Sequence, residues 1–197
     1  DVEFWDEDIK LGVEVEVLAP SSVVEWLSKI PNAKYAGLNI INTDVQQSID
    51  DERRRMEIRH KSLHVNNYDP ADFNTYEDIL ERMAYLVGQC PDGFNCEYRV
   101  IGQSVEGRDI VQFRLTKEGE GRRTVWIDSL IHAREWLAGS TTMRILEKLV
   151  TEYGEDSDVT RLLDAFDFLV LPVHNADGYV YTWETDRMWR KSRNVNQ

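Results

Sequence analysis

What the chain lacks narrows it first. No apolar run approaches the roughly 20 residues of a membrane span, so the sequence predicts no transmembrane helix. A basic stripe is missing too. The net charge is −13, acidic residues run through both halves, and the short cluster Arg53-Arg54-Arg55 is flanked by Asp50, Asp51, Glu52 and Glu57. Those carboxylates cancel most of its field, which excludes a nucleic-acid partner and leaves the acidity as a solubility feature. The start, Asp1-Val2-Glu3-Phe4-Trp5, has no initiator Met, no basic n-region and no apolar h-region. The chain therefore reads as a mature product or a fragment, and the missing signal says little about compartment. Cysteine is scarce. Cys90 and Cys96 are separated by five residues that include Pro91 and Gly93. A turn-rich spacer can let them bridge in an oxidising compartment. Two free thiols, or partners elsewhere, is the other reading. No neighbouring cysteine or histidine cluster makes them a zinc site.

What is present is the composition of a soluble globular protein, 42% hydrophobic and 30% charged. The length suits one medium domain, or a small domain plus part of a larger one. Gly12 to Val17 alternates like a half-buried strand. Ser21 or Ser22 starts a helix to about Ile30, with Glu25 completing a capping box behind Ser22. Leu38 to Ile41 reads as a short strand. Thr43 or Asp44 starts a long, charged helix toward His60, whose thin apolar content (Val45, Ile49, Met56) suits a connector between two bodies. His64 to Asn74, with Asp69-Pro70, reads as a linker. Thr75 then caps an amphipathic helix with Ile79, Met83, Leu86 and Val87 on one face. Strands follow at Tyr98–Ile101 and Ile110–Thr116 around a turn at 104–109, then at Thr124–Leu130. A helix spans Ala138–Tyr153. The apolar run Phe166–Val173 reads as a strand buried on both faces. Strands alternating with helices imply an α/β sheet. The first sixty residues form a separate, small α+β unit.

The chemistry concentrates where a strand meets a helix. Val125 to Leu130 leads into His132-Ala133-Arg134-Glu135-Trp136. Ligand sites in α/β sheets gather at such strand ends. Imidazole and carboxylate are good zinc donors, and a helix N-terminus favours the ionised carboxylate that a metal needs. His-x-x-Glu alone is a weak signal that arises by chance; the five-residue string in this context is far more specific.

That string resembles the zinc motif of the A/B-type metallocarboxypeptidases. The likeness extends to Ile101-Gly102-Gln103-Ser104 with Glu106-Gly107-Arg108, and to Asn175-Ala176-Asp177-Gly178-Tyr179, where Ala176 stands in place of the usual Pro. It also takes in Asp186-Arg187-Met188-Trp189-Arg190-Lys191. Residues 1–61 resemble the later part of the family's activation segment, and residues 62–197 the N-terminal part of its catalytic domain. The resemblance implies the first part of a mixed-sheet α/β/α domain, preceded by a partial small α+β activation domain. It implies His132 and Glu135 as two ligands of a Zn²⁺ cofactor. Arg190 would stabilise the tetrahedral oxyanion, and Arg134 and Arg187 would join it in binding substrate. Carboxypeptidase A is the standard example of a His₂Glu catalytic zinc, so this ligand set is carried over from the family. Trp136 and Trp189 read as packing residues. His174 is not a family ligand position, and His60 and His64 read as ordinary surface residues.

The family's second zinc histidine, its general base and its specificity pocket have no match before Gln197. The resemblance thus implies a secreted, monomeric zymogen that releases C-terminal amino acids from peptides and proteins. This chain alone would lack a third ligand and a base, and would be inactive. The basic stretch from Arg53 to Lys61 suggests cutting by a trypsin-like protease near Arg59 or Lys61. A catalytically dead peptide-binding protein and an inhibitory fragment are the alternatives; a zinc endopeptidase of another family is disfavoured by the lack of H-E-x-x-H.

Overall fold

The computed structural model describes residues 2–5, 9–30, 37–60, 68–119 and 121–194. They fall into two compact units, Asp1–Gln47 and Ser48–Gln197.

The first unit holds β1 (Glu3–Phe4) paired antiparallel with β2 (Val17–Leu18), and α1 (Ser21–Lys29). The strand expected over Gly12–Val17 shrinks to its last residue. Gly12 takes φ 84° in a turn, and left-handed backbone interrupts an extended run. The capping box expected at Ser22 and Glu25 does not form: α1 begins at Ser21 behind Pro20 with no side-chain cap, so Ser22 already lies inside the first turn. Residues 38–41 are irregular rather than a strand. α2 (Val45–His60) starts as expected, with Asp44 accepting from the Gln47 N–H at 2.9 Å. It crosses the boundary between the units. Its second half is more than a connector, because Met56 is buried in the core of the second unit.

In the second unit α3 (Tyr76–Val87) opens on a reciprocal capping box between Thr75 and Asp78, and buries Ile79, Met83 and Leu86 as its periodicity requires. Then come β3 (Phe94–Gln103), β4 (Asp109–Lys117), β5 (Arg123–Asp128), α4 (Trp136–Thr151), α5 (Ser157–Ala165), β6 (Phe166–Leu171) and α6 (Ala176–Glu184). The sheet runs β3-β4-β6-β5. Its first two pairings are antiparallel and β5–β6 is parallel, so the sheet is mixed. Two helices, α4 and α5, make the crossover between the parallel strands. α5 was not expected; Asp156 caps it by accepting from the Asp158 and Val159 N–H groups. Phe113, Leu115 and Val170 from the sheet meet Met83, Leu86, Leu146 and Leu163 from helices, all fully buried. The β6 run ends at Leu171, since Pro172 has no N–H for a ladder. Cys90 and Cys96 form a disulfide that ties the end of α3 to β3. β5 has no outer neighbour among the described residues, and Trp126 on it is 49% exposed. No helix among them is long and apolar enough to cross a membrane.

Candidate metal centre

β5 and β6 lie parallel, and their alignment continues past both ends. Ser129 N–H donates to Leu171 O, His174 N–H to Ser129 O, and Asn175 N–H to Leu130 O, at 3.0–3.1 Å. The two loops leaving the strands are thereby laid side by side, the usual place for a ligand site in such sheets. Leu130 turns the chain sharply with φ 54° while its side chain is buried. It packs on Gly139 of α4, where an added Cβ would come within 2.5 Å of Leu130 Cδ1. This tight turn delivers His132 to the surface.

His132 Nδ1 and Glu135 Oε1 are 2.8 Å apart, with side chains 30% and 49% exposed. Glu135 is the N-cap residue of α4 and makes no capping bond with its side chain. Its carboxylate stands at the positive end of the helix dipole, free of the backbone it could have capped. Both donors thus face one accessible point. An imidazole nitrogen and a carboxylate oxygen are both donors that zinc accepts, and His132 and Glu135 would hold it here. No group of three or more His, Cys, Asp or Glu gathers among the described residues. The donor set suits zinc in kind and falls short in number.

Arginines converge on the same turn. Ala133 N–H donates to Arg190 O at 3.0 Å, Arg134 Nη1 to Met188 O at 3.3 Å, and Arg187 Nη1 to Arg134 O at 3.0 Å. These bonds lace residues 133–134 to residues 187–190 and bring Arg190 Nη2 to 3.4 Å from His132 Nδ1. Arg187 also lies 3.7 Å over the Trp136 ring and bonds Glu52 Oε2 at 2.8 Å through Nε. Trp136 is buried, stacked on Trp183 at 4.2 Å, and donates to Thr182 Oγ1. Trp189 meets Tyr181 edge-on and donates to Lys191 O.

Of the remaining sequence candidates, His174 stands 3.5 Å from Asp128. Arg59 is ion-paired with Asp69 and Asp72. Lys61, His64 and the His60 side chain lie outside the described residues.

Two residues at the base of the site are not evident from the sequence. Residues 175–179 read as a turn but open α6, with Asn175 as N-cap accepting from the Gly178 N–H at 3.0 Å. The Asn175 amide also donates to Ile131 O at 3.2 Å and Lys191 O at 3.0 Å. One side chain thus joins the neighbour of His132 to the neighbour of Arg190. Gly178 makes room for this: a Cβ there would lie 2.7 Å from Lys191 O and 2.5 Å from the Asn175 amide. Asp177 is buried and accepts from Ser104 Oγ at 2.6 Å, Glu106 N–H at 3.0 Å and Arg108 Nη1 at 2.8 Å. Burial pushes its pKa up, but these hydrogen bonds and the arginine's charge together hold it below the ordinary aspartate value. An Asn ahead of an apolar run was the available signal for a helix start.

The site is thus a His-x-x-Glu pair after one of the parallel strands of a mixed sheet, faced by arginines. The zinc carboxypeptidase (Peptidase_M14) model matches residues 79–197, and the chain belongs to that family. It is 30% identical to rat carboxypeptidase A1 over its whole length and 46% of that protein's. Over 67% of its length it is 39% identical to the inactive metallocarboxypeptidase ECM14 of Ajellomyces capsulatus, covering 22% of it. Its fold superposes on 47% of the carboxypeptidase A of Helicoverpa armigera, with TM-score 0.78 and 25% identity over 98% of this chain. The chain spans about half the length of the carboxypeptidases A that it matches.

Proposed function

We propose that the whole protein is a secreted, monomeric zinc carboxypeptidase that removes C-terminal amino acids from peptides and proteins. The observation that carries this is the convergence of His132 Nδ1, Glu135 Oε1 and Arg190 Nη2 after a parallel strand. His132 and Glu135 are two of the zinc ligands. Zinc, when bound, supplies Lewis-acid activation of water and of the scissile carbonyl. Arg190 places a fixed positive charge where the oxyanion forms, and its worth rises as the site dries. Arg134 and Arg187 hold the peptide upstream. A third ligand and a general base come from sequence outside residues 1–197, so this chain alone hydrolyses nothing.

Residues 1–61 are the later part of an activation segment, cut by a trypsin-like protease in its basic stretch. The Glu52–Arg187 pair supports this, with side chains only 22% and 12% exposed. While it stands, a helix carboxylate occupies an arginine assigned to substrate. A second reading is a catalytically dead protein that still binds peptides, favoured by the 39% identity to an inactive relative. Chelator-sensitive release of a C-terminal residue by the full-length protein after trypsin treatment, abolished by H132A, is expected. Full-length, trypsin-treated protein with no such release would favour the second reading.

A further inference from the structure

Arg59 sits in the last turn of α2 and bears on where the activation segment is cut. Its guanidinium is gripped on three sides. Nη2 lies 3.0 Å from Asp69 Oδ2, Nε 3.4 Å from Asp72 Oδ2, and Nη1 donates to Ala71 O at 3.4 Å. The two carboxylates are 9% and 13% exposed and the Arg59 side chain 45%, so the arginine is held by buried acceptors while its outer face stays open to solvent.

The receiving turn is held by hydrogen bonds of its own. Asp69 Oδ1 accepts from the Ala71 N–H at 2.9 Å and Asp72 Oδ1 from the Phe73 N–H at 2.8 Å. These bonds orient each carboxylate so that its other oxygen points at Arg59. The buried Asn74 closes the turn by accepting from Asp69 N–H and donating to Asp69 O and Asp72 O. Asn74 O in turn accepts from the fully buried Tyr179 hydroxyl of α6. The cradle is thus fixed to the core, and a planar fork with several donors fits it in a way that a lysine cannot.

A trypsin-like protease reads arginine by drawing the whole side chain into a pocket with a carboxylate at its base. Arg59 already has two carboxylates. Arg54, one turn and a half earlier on the same helix, is 69% exposed and meets Asp51 at only 3.6 Å. We infer that Arg59 is a latch rather than a scissile residue: the Asp69–Asp72 cradle withholds it from the protease, and cutting after it waits until the cradle lets go. This rests on the reading of residues 1–61 as an activation segment and moves the first cut away from Arg59.

The test is limited trypsin treatment of the native chain at low salt, with fragments mapped by mass spectrometry. Cutting after Arg59 in the native chain is expected to be slow, since cleavage follows the population of the opened state and the cradle holds that state down. D69N/D72N should raise cutting after Arg59 by about tenfold and leave Arg54 unchanged, and R59K should raise cutting at position 59 similarly, for lack of a fork. Cuts after Arg122, which donates to Leu163 O and Phe166 O, would mark a variant that has unfolded; R59K, which leaves the turn intact, then decides. A first native cut after Arg59, or a rate there that neither variant changes, overturns the latch. The latch is read from cleavage rates alone. Failure of the full-length protein to gain activity on trypsin treatment would instead overturn the activation reading.

Discussion

The two units of this chain use apolar residues in opposite ways. In the second, side chains from four strands and five helices close on one another, and Phe113, Leu115, Met83, Leu146 and Val170 are fully buried. In the first, no described side chain is buried. Its helix α1 is amphipathic, yet Trp26 is 63% exposed and Phe4 49%. An apolar stripe at helical spacing thus states a demand for a partner and does not show that the demand is met. The second unit meets it internally because its sheet has a covered face. A two-residue ribbon and one nine-residue helix do not.

This contrast can be broken by mutation. F113A, in the centre of β4, should cost about 3–5 kcal/mol by removing a fully buried ring, read as a shift in the urea midpoint. W26A removes a larger ring and should change stability by less than about 0.5 kcal/mol. Equal costs would abolish the contrast. G178A should destabilise the second unit by about 1–3 kcal/mol, because its Cβ meets backbone at Lys191 O, which cannot swing aside. Asp177 sharpens the same point through pH. Its pKa is lowered in the folded state, so its contribution is fully present above the unfolded value of about 3.9 and is lost as pH falls through the folded one. The difference in stability between the native chain and D177N, followed by urea titration, should shrink on acidification below about pH 4. A difference that stays constant there would show that the buried carboxylate owes nothing to its charge.

The sequence was most legible where periodicity and packing agree. The helix with Ile79, Met83 and Leu86, the hairpin strands and the β6 run all lie within the second unit, where the apolar face of each element finds the others. It misled where local pattern had no partner, as at 12–17 and 38–41. His132, Glu135 and Arg190 were visible as a spaced motif, and the structure brings them together. The supports beneath them were not. Asn175 bonds backbone 44 and 16 residues away, and a bond to a distant carbonyl leaves no trace in residue type. The Glu52–Arg187 and Arg59–Asp69 pairs were hidden for the same reason. Glu52 and Arg59 sat in a charged helix that read as a connector, and only the folded chain selects which of its charges are gripped.

Metal content is the most direct test of the central claim, that His132 and Glu135 are two ligands of a catalytic zinc. The full-length protein, dialysed and analysed for metal, should hold about one zinc per chain, as a site of three protein ligands requires. H132A and E135A should each lose it while the urea midpoint stays within about 1 kcal/mol of the parent, since both side chains are open to solvent. Stoichiometric zinc in the H132A/E135A double variant, or none in the parent, would contradict the account.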